Sequence, residues 1–236
     1  SLEKDLPKAA AVEFVALMER RGRGEPLAYL TGRREFWSIE LRVTPSVLVP
    51  RPETELVVER ALALCTEQSA MVLDLGTGTG AIALALASER PDWRIMATDL
   101  SSAALVVARD NARVLGCTNI DFAQGQWLAA VNPAHRFKLI ASNPPYVAAG
   151  DPALASDGLR YEPIEALVAG GDGLDDLRAI TQNAPQFLHP GGWLVLEHGS
   201  LQAPEVRKLL VARGFINVRS HRDLAGHERV TEGSWL

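Results

Sequence analysis

"MVLDLGTGTGAIALALA", residues 71–87, is the stretch that decides the fold. It opens on a short continuous apolar run, the pattern of a strand buried on both faces. Gly76, Thr77, Gly78, Thr79 and Gly80 follow, and then an apolar, alanine-rich segment of helical character. Strand, tight turn and helix in that order begin a βαβ unit. Downstream the alternation continues. "WRIMATDL" reads as a strand, "SSAALVVARDNARVLG" as a helix with serine at its start and Gly116 at its end, and "NIDFAQG" as a strand. "FKLIASNPPY" holds a fourth strand; "DDLRAITQNAPQFL", "GGWLVLEHG", "LQAPEVRKLLVARG" and "INVRSHRD" then read as helix, strand, helix and strand. Such alternation predicts an α/β fold: a doubly wound, mostly parallel sheet with helices on both faces. "HERVTEGSWL" is expected to add a last strand at the edge, and residues 147–171, rich in Gly, Pro, Asp and Ala, form the longest loop.

Upstream of the glycines the texture differs. Residues 5–21 read as a helix, with Ala10, Phe14, Leu17 and Met18 on one face, and "GRGEP" breaks it. Ile39, Leu41 and Val43 then alternate with Glu40 and Arg42, which predicts a strand of a β-hairpin, its turn placed at Thr44-Pro45-Ser46. A further helix, residues 52–65, opens on Pro52, where proline costs least.

The composition bounds the function. The chain has 236 residues, 47% hydrophobic and 22% charged, an ordinary globular balance. Lys and Arg number 24 against 29 Asp and Glu, a net charge of −5, which does not suit affinity won by neutralising many phosphates. Cys65 and Cys117 offer neither a disulfide framework nor metal-ligand spacing. No apolar run reaches the roughly 18 residues of a membrane span, and "SLEKDLPKAAA" is too polar for a secretory signal. A cytoplasmic location, no membrane association and a monomer are expected. Ser1 in place of Met points to processing or a boundary that removed something upstream.

Gly76, Gly78 and Gly80 let the backbone turn tightly and approach a ligand, with helical N–H groups behind them. The loop also satisfies the dinucleotide pattern G-x-G-x-x-A through Ala81, so alone it leaves a nicotinamide cofactor and another nucleoside-like ligand both open. Asp99 ends the next strand, where an acid reaches the two hydroxyls of a ribose. Asp74 is unhelpful to a pyrophosphate. It suits a ligand with a cationic group, such as the amino group or sulfonium of S-adenosylmethionine, or else it holds loop N–H groups, or both.

"SNPPY" ends a buried strand on a segment rich in acceptors and poor in donors. Pro144 and Pro145 fix their own φ and keep the preceding residues extended. The Asn143 side-chain oxygen and the Pro144 carbonyl can each accept one N–H of an NH2 group, and the Tyr146 ring can lie against the flat group that carries it. An amide or aromatic amine is a poor nucleophile because its lone pair is delocalised. Two acceptors favour a more pyramidal nitrogen and stabilise the positive charge that develops on it during attack.

At this point the sequence resembles the peptide chain release factor glutamine methyltransferases, the HemK/PrmC group. The resemblance runs from about residue 13 to the end and rests on "GEPLAYLTGRREFW", "VLVPRPETE", "VLDLGTGTGAIALALA", "SNPPYV", "YEPIEALVAGGDGL" and "ERVT". It implies a sheet of the class I S-adenosylmethionine-dependent methyltransferase type, with a short N-terminal helix and a β-hairpin. Residues 1–24 correspond to the end of the family's N-terminal helical domain, 25–50 to a hairpin linker, and 51–236 to the methyltransferase domain. By the resemblance, Gly76–Gly80 line the methionine part of S-adenosylmethionine, Asp99 holds the ribose and Trp127 lies beside the adenine. Asn143, Pro144, Pro145 and Tyr146 hold the target amide, the glutamine of the Gly-Gly-Gln motif of class I release factors. Phe36 and Arg51 fall in family-typical motifs near the active-site mouth, with no assigned role. Gln126 departs from the family, which commonly has an acid before Trp127 to accept from the adenine amine. A nucleic-acid amine methyltransferase shares the Asn143–Tyr146 pattern but needs a basic cleft, against the acidic balance here. A nicotinamide-dependent oxidoreductase would share the glycine loop. A non-enzymatic cofactor-binding scaffold would have no use for the whole acceptor cluster.

Overall fold

The computed structural model describes residues 7–156 and 158–236. The first half of the large sheet follows the expected pattern: β3 (Met71–Leu75), α4 (Ala81–Glu89), β4 (Arg94–Asp99), α5 (Ser102–Leu115), β5 (Ile120–Gln124) and β6 (Phe137–Ser142). Then come α6 (Asp175–Asn183), β7 (Leu188–Glu197), α7 (Ala203–Arg213), β8 (Ile216–Arg222) and β9 (Glu228–Ser234). The seven strands are ordered β5-β4-β3-β6-β7-β9-β8. Those from β5 to β7 are mutually parallel, and β9 is antiparallel to both of its neighbours. The expected edge strand is therefore an interior one: β9 inserts between β7 and β8, and β8 forms the edge. Its burial explains the placement, since Val230, Thr231 and Glu232 are inaccessible to solvent.

The chain leaves β3 toward β4 on one side and β6 toward β7 on the other. The switch point, where ligands bind in open α/β sheets, thus lies between β3 and β6. Residues 81–87 of α4 are all buried. A helix apolar all round needs cover on both faces. The sheet covers one face, and the other meets α3 (Glu55–Leu64) and the hairpin, whose Phe36 and Leu41 join the same core. α5 is capped as expected, Ala104 N–H donating to the Ser101 hydroxyl and Gly116 closing the helix at φ 70°.

N-terminal to the sheet stand α1 (Lys8–Gly22), α2 (Leu27–Thr31) and the hairpin of β1 (Arg33–Phe36) and β2 (Ile39–Arg42). Residues 5 and 6 of the expected first helix lie outside the described residues, and its Phe14 and Met18 are more than half exposed. The hairpin turn is at Trp37-Ser38, not at Thr44-Pro45-Ser46. Trp37 and Ser38 both take left-handed φ, 52° and 59°, as a two-residue I′ turn requires. Two carboxylates hold it: Trp37 N–H donates to Glu55 Oε1 and the indole N–H to Glu89 Oε1, each at 2.8 Å. The turn at Thr44, closed by Val47 N–H to its carbonyl, directs the chain away from the hairpin.

Candidate active site

Glycine loop, Asp99, Trp127 and Asn143 all gather at the carboxyl ends of β3 to β6. Gly76, Gly78 and Gly80 have φ of 70°, 56° and 86°, a region that favours glycine. The space at Gly78 is open, whereas a Cβ on Gly76 would stand 3.1 Å from the Trp127 ring. Trp127 therefore lies on the glycine loop itself. It has φ 47° and donates its indole N–H to Asp176 Oδ1 at 3.0 Å. Gln126 is exposed.

Asp74 is fully buried. Its Oδ2 accepts from the Thr77 hydroxyl at 2.6 Å and from Ala83 N–H at 3.2 Å, so it does hold the loop against the helix. Its Oδ1 is buried with no partner. Desolvation pushes its pKa up to about 7 against the pull of those two bonds, with Asp99 nearby adding to the rise. A buried carboxylate oxygen without a donor fits a ligand with a cationic group. Asp99 spans the next gap, accepting from Gly78 N–H and Ser101 N–H, both at 2.8 Å. Burial raises its pKa, and these backbone bonds oppose the rise. The loop is also fastened from behind: Asn111 of α5 donates to the Thr79 carbonyl at 2.9 Å and accepts from Arg42 N–H of β2 at 2.8 Å.

Asn143 follows β6, half-buried, its Nδ2 donating to the Thr54 hydroxyl at 3.0 Å. Among the described residues nothing donates to its Oδ1 or to the Pro144 carbonyl. Two residues beyond Pro144, the Tyr146 carbonyl accepts from Gln202 Nε2 at 3.0 Å, which fixes the segment's direction. Tyr146 donates its hydroxyl to Glu197 Oε1 at 3.3 Å, and burial pushes the phenol pKa upward. Arg51 pairs with the buried Glu162 at 2.5 Å, and Glu162 also accepts from Val49 N–H at 3.1 Å. This bond joins the "RPETE" and "YEP" motifs and pins the loop at 147–171, which folds back so that Val147 bridges Val168. Phe36 is a core residue. Sequence reading assigned nothing to Thr54, Glu162, Asp176 or Glu197. Glu197 carried a signal, an acid closing the apolar run "WLVLE" of a buried strand. Among the described residues no group of His, Cys, Asp or Glu could hold a metal ion, and no helix is long and apolar enough to cross a membrane.

Residues 66–224 match the family model described as a methyltransferase domain. A methyltransferase from Pyrococcus furiosus shares the fold at TM-score 0.63 and 18% identity, over 94% of this chain and 98% of that one. The release factor glutamine methyltransferase of Pseudomonas aeruginosa is 50% identical over 99% of this chain and 84% of its own length. The Yersinia pestis protein of the same description is 52% identical over 93% of this chain and 79% of its own. With half its residues shared across nearly its whole length, the chain belongs to the family of release factor glutamine methyltransferases.

Proposed function

We propose that this chain methylates the side-chain amide nitrogen of the Gly-Gly-Gln glutamine of class I release factors, acting as a cytoplasmic monomer without stable association with nucleic acid or membrane. The activity is that of an S-adenosylmethionine-dependent protein-(glutamine-N5) methyltransferase, as family membership implies. The observation that supports the site assignment is a pair of acceptors, Asn143 Oδ1 and the Pro144 carbonyl, with no donor among the described residues, at the switch point of the sheet.

The residues present fit the methyl donor. Gly76 to Gly80 leave room for it at Gly78 and Asp74 offers its unpartnered Oδ1 to a cation; Asp99, at the end of β4, is the residue that would accept from the ribose hydroxyls. Trp127 walls the loop, and Gln126 offers an uncharged acceptor at the adenine end. The donor supplies an electrophilic methyl on a sulfonium.

The chain's own part is positioning. Asn143 Oδ1 and the Pro144 carbonyl accept the two amide hydrogens. Pro145 keeps the segment stiff, and Tyr146 supports the plane of the amide. The amide nitrogen gains positive charge as it attacks, and acceptors fixed beforehand stabilise that charge without reorganising. Its proton becomes acidic only after methylation, so no base is needed before attack.

Mass spectrometry of a release factor incubated with enzyme and S-adenosylmethionine is expected to find one added methyl on the Gly-Gly-Gln glutamine. Asn143→Ala is expected to lower the rate by roughly 100-fold or more with little change in cofactor affinity. Methyl found elsewhere, or on a nucleic acid instead, refutes the assignment.

A further inference from the structure

The acceptor segment is held at two ends. Its near end is β6, through Ser142, with the Asn143 side chain tied to Thr54 at 3.0 Å. Pro144 and Pro145 follow, and neither has an N–H with which to anchor itself. The two rings fix φ at their own residues, but ψ of Pro145 and both dihedrals of Tyr146 stay free. How the far end is fastened therefore decides where the Pro144 carbonyl and the Tyr146 ring stand.

The far end meets Gln202, the residue that precedes α7. Gln202 Nε2 donates to the Tyr146 carbonyl at 3.0 Å and also faces the Gly173 carbonyl at 3.3 Å and the Asp172 carbonyl at 3.4 Å. Its Oε1 accepts from Gly199 N–H at 2.8 Å. Carbonyls surround one end of this amide and an N–H meets the other, so a single orientation satisfies them all. The base of the clamp is itself tied down. Gln202 N–H donates to the Gly199 carbonyl at 2.9 Å, and the ring of the buried His198 donates to the same oxygen through Nδ1 at 3.0 Å. Gly173 packs against the segment from the other side, with φ 75° and no room for a side chain: a Cβ there would collide with the Tyr146 carbonyl oxygen. The loop that leaves the acceptor segment at Val147 thus returns, at residues 172–173, to the amide that holds the segment's end.

We propose that Gln202 is a positioning residue for methyl transfer: by clamping the Tyr146 carbonyl beside Gly173 at the neck of this loop, its amide sets the placement of the Pro144 carbonyl and the Tyr146 ring toward the target glutamine. The inference rests on the proposed role of Asn143 to Tyr146. What the position requires is a donor toward the carbonyls and an acceptor toward Gly199, which a primary amide supplies together. Glu162 ties the body of the loop and Gln202 its neck, so their losses separate kinetically. Loosening the body alters the surface offered to a protein substrate. Loosening the neck moves the acceptors themselves.

The test uses the full chain with release factor substrate at saturating cofactor, comparing Gln202→Met, Gln202→Glu and Asn143→Ala with wild type at about pH 6 and about pH 8. Gln202→Met keeps the length and loses both polar ends. Gln202→Glu keeps an acceptor for Gly199 but, when ionised, turns an oxygen toward the carbonyls. At the higher pH each is expected to lower kcat by roughly 10- to 100-fold, the loss that a slightly misplaced catalytic group brings, with KM for release factor and cofactor affinity within a few-fold. A carboxyl set among carbonyls, to which only its neutral form can donate, titrates above the ordinary range. The Gln202→Glu deficit, taken against wild type at the same pH, is therefore expected to shrink several-fold at the lower pH, while the Gln202→Met deficit stays constant. A packing role gives no such recovery, since the shape of the side chain does not change with its proton. Thermal melts and cofactor titration establish that each variant is folded. Should Gln202→Met not fold, Gln202→Glu at the two pH values decides. With Asn143→Ala inactive, wild-type kcat in a folded Gln202 variant, a rise in KM alone, or a Gln202→Glu deficit equal at both pH values overturns the positioning role and leaves the acceptor role standing. If Asn143→Ala itself keeps wild-type activity, the reading of the site falls, and the positioning role with it.

Discussion

Removing the Glu162 side chain tests how the active-site mouth is held. In Glu162→Ala two bonds disappear: the pair with Arg51 at 2.5 Å and the acceptor for Val49 N–H at 3.1 Å. Val49 is buried, and its N–H then lacks a partner, a loss of about 1–3 kcal/mol. Arg51 keeps 29% of its side chain exposed and can turn to water, so its share is smaller, about 1 kcal/mol. The sum is roughly 2–4 kcal/mol, and at ~2–4 °C per kcal/mol for a chain of this size the Tm falls by about 4–15 °C. Glu162→Gln keeps an acceptor for Val49 and loses only the charge, so its fall is expected to be about half as large. The loop at 147–171 is tied to the hairpin side by Glu162 and by the Tyr161 hydroxyl to the Arg23 carbonyl. A loosened loop presents the protein substrate with a less ordered surface, so KM for release factor is expected to rise while cofactor affinity is unchanged. Scanning calorimetry and steady-state kinetics on the same preparations check this. A Tm within about 2 °C of wild type, or a loss of cofactor affinity matching the rise in KM, refutes the reasoning.

Asp99→Ala is expected to weaken cofactor binding by ~1–3 kcal/mol, because a charge-assisted acceptor is lost at the ribose position and the Gly78 and Ser101 N–H groups are freed. Isothermal titration checks it, and unchanged affinity removes Asp99 from the site. Gly76→Ala places a methyl 3.1 Å from the Trp127 ring at φ 70°. It is expected to destabilise the chain by about 1–2 kcal/mol and to weaken cofactor binding as the Trp127 wall shifts, with melts and titration as the measurements.

The legible parts of the sequence were those set by local chemistry. The run from Met71 to Ala87 announced strand, turn and helix because its periodicity and its glycines admit few other structures. "SNPPY" announced a stiff acceptor segment because proline geometry does not depend on context. The hairpin turn was hidden because Trp37 and Ser38 carry no turn signal. Carboxylates from outside the hairpin, Glu55 and Glu89, hold Trp37 in place there. The interior place of β9 was hidden for a similar reason, since nothing local to "ERVTEGS" states which two strands it will separate. Thr54 reads as one more residue of a helix entrance until the fold sets its hydroxyl against the Asn143 amide.

Asp74 holds the glycine loop and Glu197 accepts from Tyr146, and both are fully buried. β6 lies between β3 and β7, so a buried carboxylate stands on each flank of the strand that delivers Asn143. Desolvation pushes each up to about 7, so holding either one ionised at that pH costs folding energy. For both, the folded state keeps its proton to higher pH than the unfolded chain. Their ionisation therefore erodes stability as pH rises from about 4 toward about 7, by at most about 4 kcal/mol each. A neutral amide at either position escapes this, so Asp74→Asn and Glu197→Gln are each expected to melt above wild type at pH 8. Their functional effects should separate. Asp74 touches the glycine loop, so wild type is expected to gain cofactor affinity as pH rises through about 7, and Asp74→Asn to weaken cofactor binding at pH 8 and to lack that gain. Glu197 acts on the acceptor segment, so Glu197→Gln is expected to spare cofactor binding and lower kcat. If Glu197→Gln weakens cofactor binding as much as Asp74→Asn does, the two carboxylates share one role, and the separation of binding from positioning across β6 is wrong.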